Sequence, residues 1–112
     1  VAVAKDRAVE GLLHCGDHFT VNILAEGKHR DLMKQFLQPF PPGADRFDGL
    51  QIKTTTLGQP ILSDALAWLE GCVEQRMECG DHWVIYAEIK NGNVLDHNGI
   101  TAVHHRQTGS NY

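Results

Sequence analysis

The sequence predicts a mainly β protein with helices packed at its ends, an α+β chain built around a small β-barrel. Three observations carry that expectation. From Trp83 to Ile89, the residues Trp83, Ile85, Ala87 and Ile89 alternate with Val84, Tyr86 and Glu88, the period of a half-buried strand. Phe19, Val21 and Ile23 alternate with Thr20, Asn22 and Leu24 in the same way. Glycine turns separate such runs, and one segment, residues 28–37, carries a clear helical stripe of Leu32, Met33, Phe36 and Leu37.

Each element has its own reason. Val1-Ala2-Val3-Ala4 is an apolar, β-compatible opening with no initiator Met, turn or cap before it, and reads as part of a longer chain. Lys5-Asp6-Arg7 is a charged break. Residues 7–15 are expected as a short helix, with Asp6 as N-cap and Gly16 as the stop. Residues 18–24 form the second strand. Gly27 breaks it, and the 28–37 helix turns His29, Arg30, Lys34 and Gln35 outward. Pro39-Phe40-Pro41-Pro42-Gly43 forbids regular structure. Residues 50–56, with a threonine run, suit a strand. Gly58-Gln59-Pro60 is expected as a turn and residues 61–64 as a strand end.

Residues 65–75 fit two patterns. Ala65, Leu66, Ala67, Leu69 and Glu70 favour a helix, while the alternation through Gln75 favours a strand. The strand gains weight because Arg76-Met77-Glu78 runs straight into the Cys79-Gly80-Asp81 turn, making a hairpin with the strand after it. Asn91-Gly92-Asn93 is a hairpin-turn signal. Val94-Leu95 and residues 101–105 read as short strand pieces, and residues 108–112 as a frayed polar tail.

Composition excludes several classes. The 112 residues make one domain, and a net charge of −4 argues against a nucleic-acid binder. No apolar run is long enough to span a membrane, and no signal-peptide pattern is present. Cys15, Cys72 and Cys79 are odd in number and widely spread, as expected of reduced thiols in a cytoplasmic protein. The repeat Cys15-Gly16-Asp17-His18 and Cys79-Gly80-Asp81-His82, with His14, His97, His104 and His105 elsewhere, invites a zinc reading. The paired-cysteine spacing of structural zinc is missing, so each repeat is read as a turn before a strand. His82 stands at a strand mouth beside Asp81, where an imidazole donates, accepts or exchanges a proton. No Ser-His-Asp order, phosphate loop or dinucleotide glycine motif occurs.

Lys5-Asp6-Arg7-Ala8, Phe19-Thr20-Val21-Asn22-Ile23-Leu24, Asp45-Arg46-Phe47 and Gly80-Asp81-His82-Trp83-Val84-Ile85 occur in this order. Together they resemble the flavin reductase-like family, which folds as an FMN-binding split β-barrel. Pro42-Gly43-Ala44-Asp45-Arg46-Phe47, Pro60-Ile61-Leu62-Ser63-Asp64-Ala65-Leu66-Ala67, Arg76-Met77-Glu78-Cys79 and Thr101-Ala102-Val103-His104-His105-Arg106 narrow the likeness. They resemble the C-terminal domain of flavodiiron proteins of cyanobacteria and other oxygenic phototrophs. In those proteins a β-lactamase-like diiron domain and a flavodoxin-like FMN domain come first.

The resemblance implies electron transfer from NADH, NADPH or another donor, through FMN or FAD, toward reduction of dioxygen to water. It also implies that the family's first strands and flavin loop precede Val1, and that the diiron centre lies in another domain, with no metal here. Lys5 and Arg7 match the segment that approaches the flavin phosphate. Asn22 matches a strand asparagine that lies near the flavin or braces its loop. Arg46 is expected to orient the cofactor or a partner. His82 is the expected catalytic residue, near the flavin's reactive face and the nicotinamide. A barrel without its first strands exposes open edges, so the chain by itself is expected to be a homodimer or larger and largely flavin-free. The alternative function is a flavin-free dimerisation or interaction module.

Overall fold

The computed structural model describes residues 1–27 and 29–102. Its elements are β1 (Ala2–Ala4), a 3-10 helix (Ala8–Leu12), β2 (His18–Leu24), α1 (His29–Leu37), β3 (Ile52–Thr54), β4 (Pro60–Leu62), β5 (Ala65–Cys79) and β6 (His82–Val94). A four-stranded antiparallel sheet runs in the order β1-β6-β5-β2, and β3 pairs with β4 in a separate ribbon. The long hairpin of β5 and β6 is the spine. Its two-residue turn opens on Gly80 at a φ of +61°, the left-handed start that a type II′ turn needs. Register shifts at Glu70/Gly71 and Val73/Gln75 interrupt the ladder, and such bulges add local twist that curls a sheet.

Two apolar clusters flank the spine. Leu13, Val73 and Ile85 pack with Val3, Phe19 and Trp83 beneath the 3-10 helix. Leu32, Leu62 and Ala65 pack with Leu24, Phe36, Phe47 and Leu50 beneath α1. Phe36 and Phe47 meet edge to face, with ring centroids 5.3 Å apart.

The ambiguous 65–75 segment is strand throughout, because both edges of β5 find partners in β2 and β6. The first helix is shorter than expected and of the tighter 3-10 kind. Arg7, not Asp6, is its N-cap, and no side chain caps it. Gly11 and the β-branched Val9 weaken an α-helix at this point, and the Leu13 N–H bonds back only three residues, to the Glu10 carbonyl. The next turn is tied to the spine instead: the Gly16 N–H donates to the Val73 carbonyl, and the Val73 N–H to that of Asp17.

The strand expected at 50–56 shrinks to β3. Thr55 closes the turn between β3 and β4: its N–H donates to the Gln59 carbonyl, and its Oγ1 accepts the N–H groups of Leu57 and Gln59. Pro60, expected in a turn, opens β4, the first position of a strand where proline is tolerated. Thr101 makes an isolated bridge with Ala25 in place of a strand. Lys28, residues 103–105, the tail, and His104 and His105 of the zinc reading lie outside the described residues.

Asn91-Gly92-Asn93 is not a turn. All three residues stay in β6, opposite Glu70, Leu69 and Trp68. A Cβ built on Gly92 would stand 2.9 Å from the Trp68 carbonyl oxygen and 3.0 Å from a Leu69 methyl. Gly92→Ala should therefore lower stability by about 1–3 kcal/mol, because the close neighbour is backbone. A lower urea midpoint at unchanged slope is the expected signature; a midpoint at or above that of the wild type would contradict the close approach.

Candidate functional site

The 3-10 helix, β2, α1 and the Arg46–Phe47 segment enclose a groove with two lobes. One lobe holds about 450 Å³ and is walled by Leu12, Leu13, Phe19 and Phe47, with His18, Thr20 and Gln59 as polar points. The other holds about 640 Å³ and carries Arg7, Gln38 and Phe40. Ala8, Val9, Phe36 and Arg46 line both, so the lobes are continuous. The short 3-10 helix lays Ala8, Val9 and Leu12 along one wall. The edge-to-face pair of Phe36 and Phe47 sits in the opposite wall.

Two cations open into this groove. Arg7 is three-quarters exposed, and the Asp6 carboxylate is 3.8 Å from it, a loose surface pairing. The Arg46 guanidinium lies over the Phe40 ring, 5.3 Å from its centroid. An apolar slot with two available guanidinium groups suits a planar aromatic ligand with a phosphate at one end. A neighbouring cleft of about 540 Å³ carries Asp31, Asp45 and Asp48 beside Lys34. Three carboxylates there repel phosphate, which leaves the two-lobed groove as the better fit.

The other expected site residues lie elsewhere. Lys5 is held at the tip of the spine, its amine paired with Glu78 and placed 5.2 Å from the Trp83 ring centroid. His82 is at the same tip, paired with Ala4 of β1 and Cys79 of β5. The Lys5 N–H donates to the Asp81 carbonyl, and the Arg7 N–H turns back to that of Ala4. The 5–7 loop thus joins the two regions, with Lys5 toward the tip and Arg7 toward the groove. Asn22 acts as a brace. Its Oδ1 accepts the Leu62 N–H at 2.9 Å, and its Nδ2 donates to the Pro60 carbonyl at 3.3 Å, stapling β4 across β2.

His82 Nδ1 lies 2.8 Å from Asp81 Oδ1, and this bond, with the charge attraction, holds the Asp81 carboxyl below the usual range. Lys5 does the same for Glu78. A depressed folded-state value means that the Asp81 pair adds its small stability above the ordinary aspartate range and loses it as pH falls through the depressed value. His82→Gln should raise the Asp81 titration midpoint toward that of a free aspartate, read by carboxyl NMR. A midpoint that does not move would remove His82 as the cause.

Sequence reasoning named His18 only in the zinc reading and did not single out Gln59, Phe36 or Phe47 as groove residues. Their spacing along the chain carries no signal, because the groove forms only when distant segments meet. Among the described residues no group of three or more His, Cys, Asp or Glu side chains is placed to hold a metal ion. No helix among them is long and apolar enough to cross a membrane.

Residues 1–110 match the family described as flavin reductase like domain. The chain belongs to that family. Over its full length it is 57% identical to diflavin flavoprotein A 1 of Synechocystis sp., covering 20% of that protein. It is 54% identical to the putative diflavin flavoprotein A 6 of Nostoc sp., again over the whole chain and 20% of the relative. The chain therefore spans about a fifth of the length of these curated relatives. Among solved structures, an NADH:FAD oxidoreductase of Streptomyces globisporus superposes with a TM-score of 0.81 at 25% identity, over 90% of this chain and 60% of that one. The curled sheet is thus a half-barrel of the flavin reductase split-barrel fold, and the resemblance seen in the sequence holds.

Proposed function

We propose that this flavin reductase like domain binds flavin and serves as the electron-input module of a diflavin flavoprotein of the flavodiiron type. The two-lobed groove, with apolar walls and the Arg7 and Arg46 cations, carries this reading. When bound, flavin supplies the hydride and one-electron chemistry. The chain's residues do the holding: Arg7 and Arg46 take the phosphate, and Leu12, Phe36 and Phe47 exclude water from the ring. His82 and Lys5, at the tip joined to Arg7 by the 5–7 loop, flank the approach of the nicotinamide donor to the groove. The cofactor is FMN, with FAD accommodated by the longer groove, and the donor is NADH or NADPH. In the parent protein the electrons go on to a diiron centre in another domain, which reduces dioxygen to water. The three cysteines are free, in keeping with action in the cytoplasm.

The test is a titration of the purified chain with FMN, following quenching of flavin fluorescence, then addition of NADH or NADPH under anaerobic conditions. Saturable quenching and bleaching of the flavin are expected. No quenching at micromolar chain would refute the flavin reading.

A second reading, the flavin-free dimerisation module, is favoured by one observation. Val21, Leu69, Ile89 and Val94 are all exposed, and their register places them on one face of β2, β5 and β6. Four large apolar side chains on one open sheet face mark a contact surface. The proposed occupant is a second copy of the chain, giving a homodimer that is compatible with flavin binding at the groove. Light scattering should return a dimer mass at micromolar concentration. A monomer with a cooperative thermal transition would sink this reading.

A further inference from the structure

Glu70 is 1% exposed, and its Oε2 is buried without a hydrogen-bond partner. A carboxylate removed from water with an unmet oxygen is costly, and such a group calls for a reason. One strand away, His18 Nδ1 is also buried and unpartnered. The register relates the two. His18 stands opposite Cys72, and Thr20 opposite Glu70, so His18 and Glu70 are diagonal neighbours on one face of the β2–β5 pair. Such diagonals are roughly 7–8 Å apart at Cα, within reach of two long side chains.

Of the groups opposite Glu70, the Thr20 hydroxyl is spent on the Pro60 carbonyl, to which it donates at 2.6 Å, and the Asn91 side-chain Oδ1 accepts the Gly92 N–H at 2.9 Å. His18 also lines the apolar lobe of the groove. We infer that His18 meets the polar edge of the ring bound in that lobe, and that Glu70 is the positioning residue that keeps the proton on His18 Nδ1. A side-chain rotation across the diagonal closes the Nδ1–H···Oε2 bond and satisfies both orphaned atoms. Nε2 is then left as an acceptor facing the groove, matched to an N–H on a heteroaromatic ring such as the pyrimidine edge of a flavin. The ligand part rests on the flavin reading above; the pair itself does not.

The test uses the purified chain with nitrogen-15 in its imidazoles and carbon-13 in its carboxylates. In the wild type, His18 should show a protonated, hydrogen-bonded Nδ1, and Glu70→Gln should shift that signal. His18→Gln should shift the Glu70 carboxyl signal in turn, which keeps the test open if Glu70→Gln does not fold. In FMN titrations His18→Gln should weaken binding about fivefold to tenfold, the worth of one hydrogen bond. Glu70→Gln should weaken it less in the wild type and not at all in the His18→Gln background. Unchanged His18 signals in folded Glu70→Gln overturn the pair, whether or not flavin binds. Coupled signals with no effect of either variant on a saturable FMN titration overturn the ligand contact. Coupled signals in a wild-type chain that takes no FMN support the pair and refute the flavin reading instead.

Discussion

Replacing Arg7 and Arg46 together with glutamine should weaken FMN binding about a hundredfold to a thousandfold while leaving riboflavin within about twofold. A charge-assisted hydrogen bond to phosphate is worth about 1.5–3 kcal/mol. Arg7 is three-quarters exposed, so screening pulls its share toward the low end. Arg46 lies over Phe40, a contact that fixes its plane and reduces the ordering cost of meeting a phosphate. Riboflavin has the same ring and no phosphate, so it reports the apolar walls alone. The preference of the wild type for FMN should also shrink as salt rises, and that of the double variant should not. Lys5→Gln should change the preference less, because its amine is already engaged by Glu78 and Trp83. Equal weakening of FMN and riboflavin would show that the two arginines do not read the phosphate.

Arg76→Ala should lower the melting temperature by at least about 10 °C. Arg76 ties three elements together. One guanidinium nitrogen pairs with Glu10 of the 3-10 helix. Another donates to His14 Nδ1 at 2.6 Å, since an arginine has only donors. The same group lies 4.5 Å from the Trp83 ring centroid on β6. The Arg76 side chain is only 12% exposed and that of Glu10 24%, so truncation strands a carboxylate with little water around it. Breaking a fully buried pair costs about 3–5 kcal/mol, and partial exposure reduces this to about 2–3 kcal/mol. For a domain near this size each kcal/mol moves the melting temperature by about 4–8 °C. Arg76→Lys should recover only part of the loss, because one ammonium cannot serve Glu10, His14 and the Trp83 face together. A change of less than about 3 °C in Arg76→Ala would mean that Leu13 and the Gly16–Val73 bonds hold the 3-10 helix without Arg76.

The groove depends on this clamp. Ala8, Val9 and Leu12 form its wall, and their helix is short, uncapped by any side chain and of the weaker 3-10 kind. Arg76 and the Gly16–Val73 bonds hold that wall against β5. Arg76→Ala should therefore also loosen flavin binding, for a positional reason and not an electrostatic one. Riboflavin should suffer as much as FMN, which separates this effect from that of Arg7 and Arg46.

Much of the candidate site was legible only in part. Arg7 and Arg46 stood out through motifs that resemble a family, and the fold brings both to one groove. Lys5 and His82 came from the same motifs, yet the β1–β6 pairing places them at the spine tip. Asn22 was legible as a polar residue on a strand, but nothing local told that both ends of its amide are spent on β4. His18 was legible only within the repeat of the zinc reading, and Glu70 only as a helix former; neither was legible as one of a pair. Each is ordinary in its own window, and only the β2–β5 register makes them neighbours.

By itself the sequence determined the strand runs of β2 and β6, the amphipathic α1 and the turn at Gly80-Asp81. In each, the deciding pattern lies within about ten consecutive residues. It also determined the family, through short motifs in fixed order. Tertiary structure decided the rest. Residues 65–75 suit helix and strand nearly equally, and two flanking partners settled the matter. Gly92 sits in a turn-like triplet, yet β5 extends far enough to pair through it, and the nearby Trp68 carbonyl then demands a residue without Cβ. Residues 7–15 carry a helical pattern, but backbone bonds to Val73 pull the segment away after Leu12. The physical reason is the same in all three. Local preference is worth a few tenths of a kcal/mol per residue, whereas satisfying a buried N–H or carbonyl is worth about 1–3 kcal/mol, and the satisfying partner is far away in the chain.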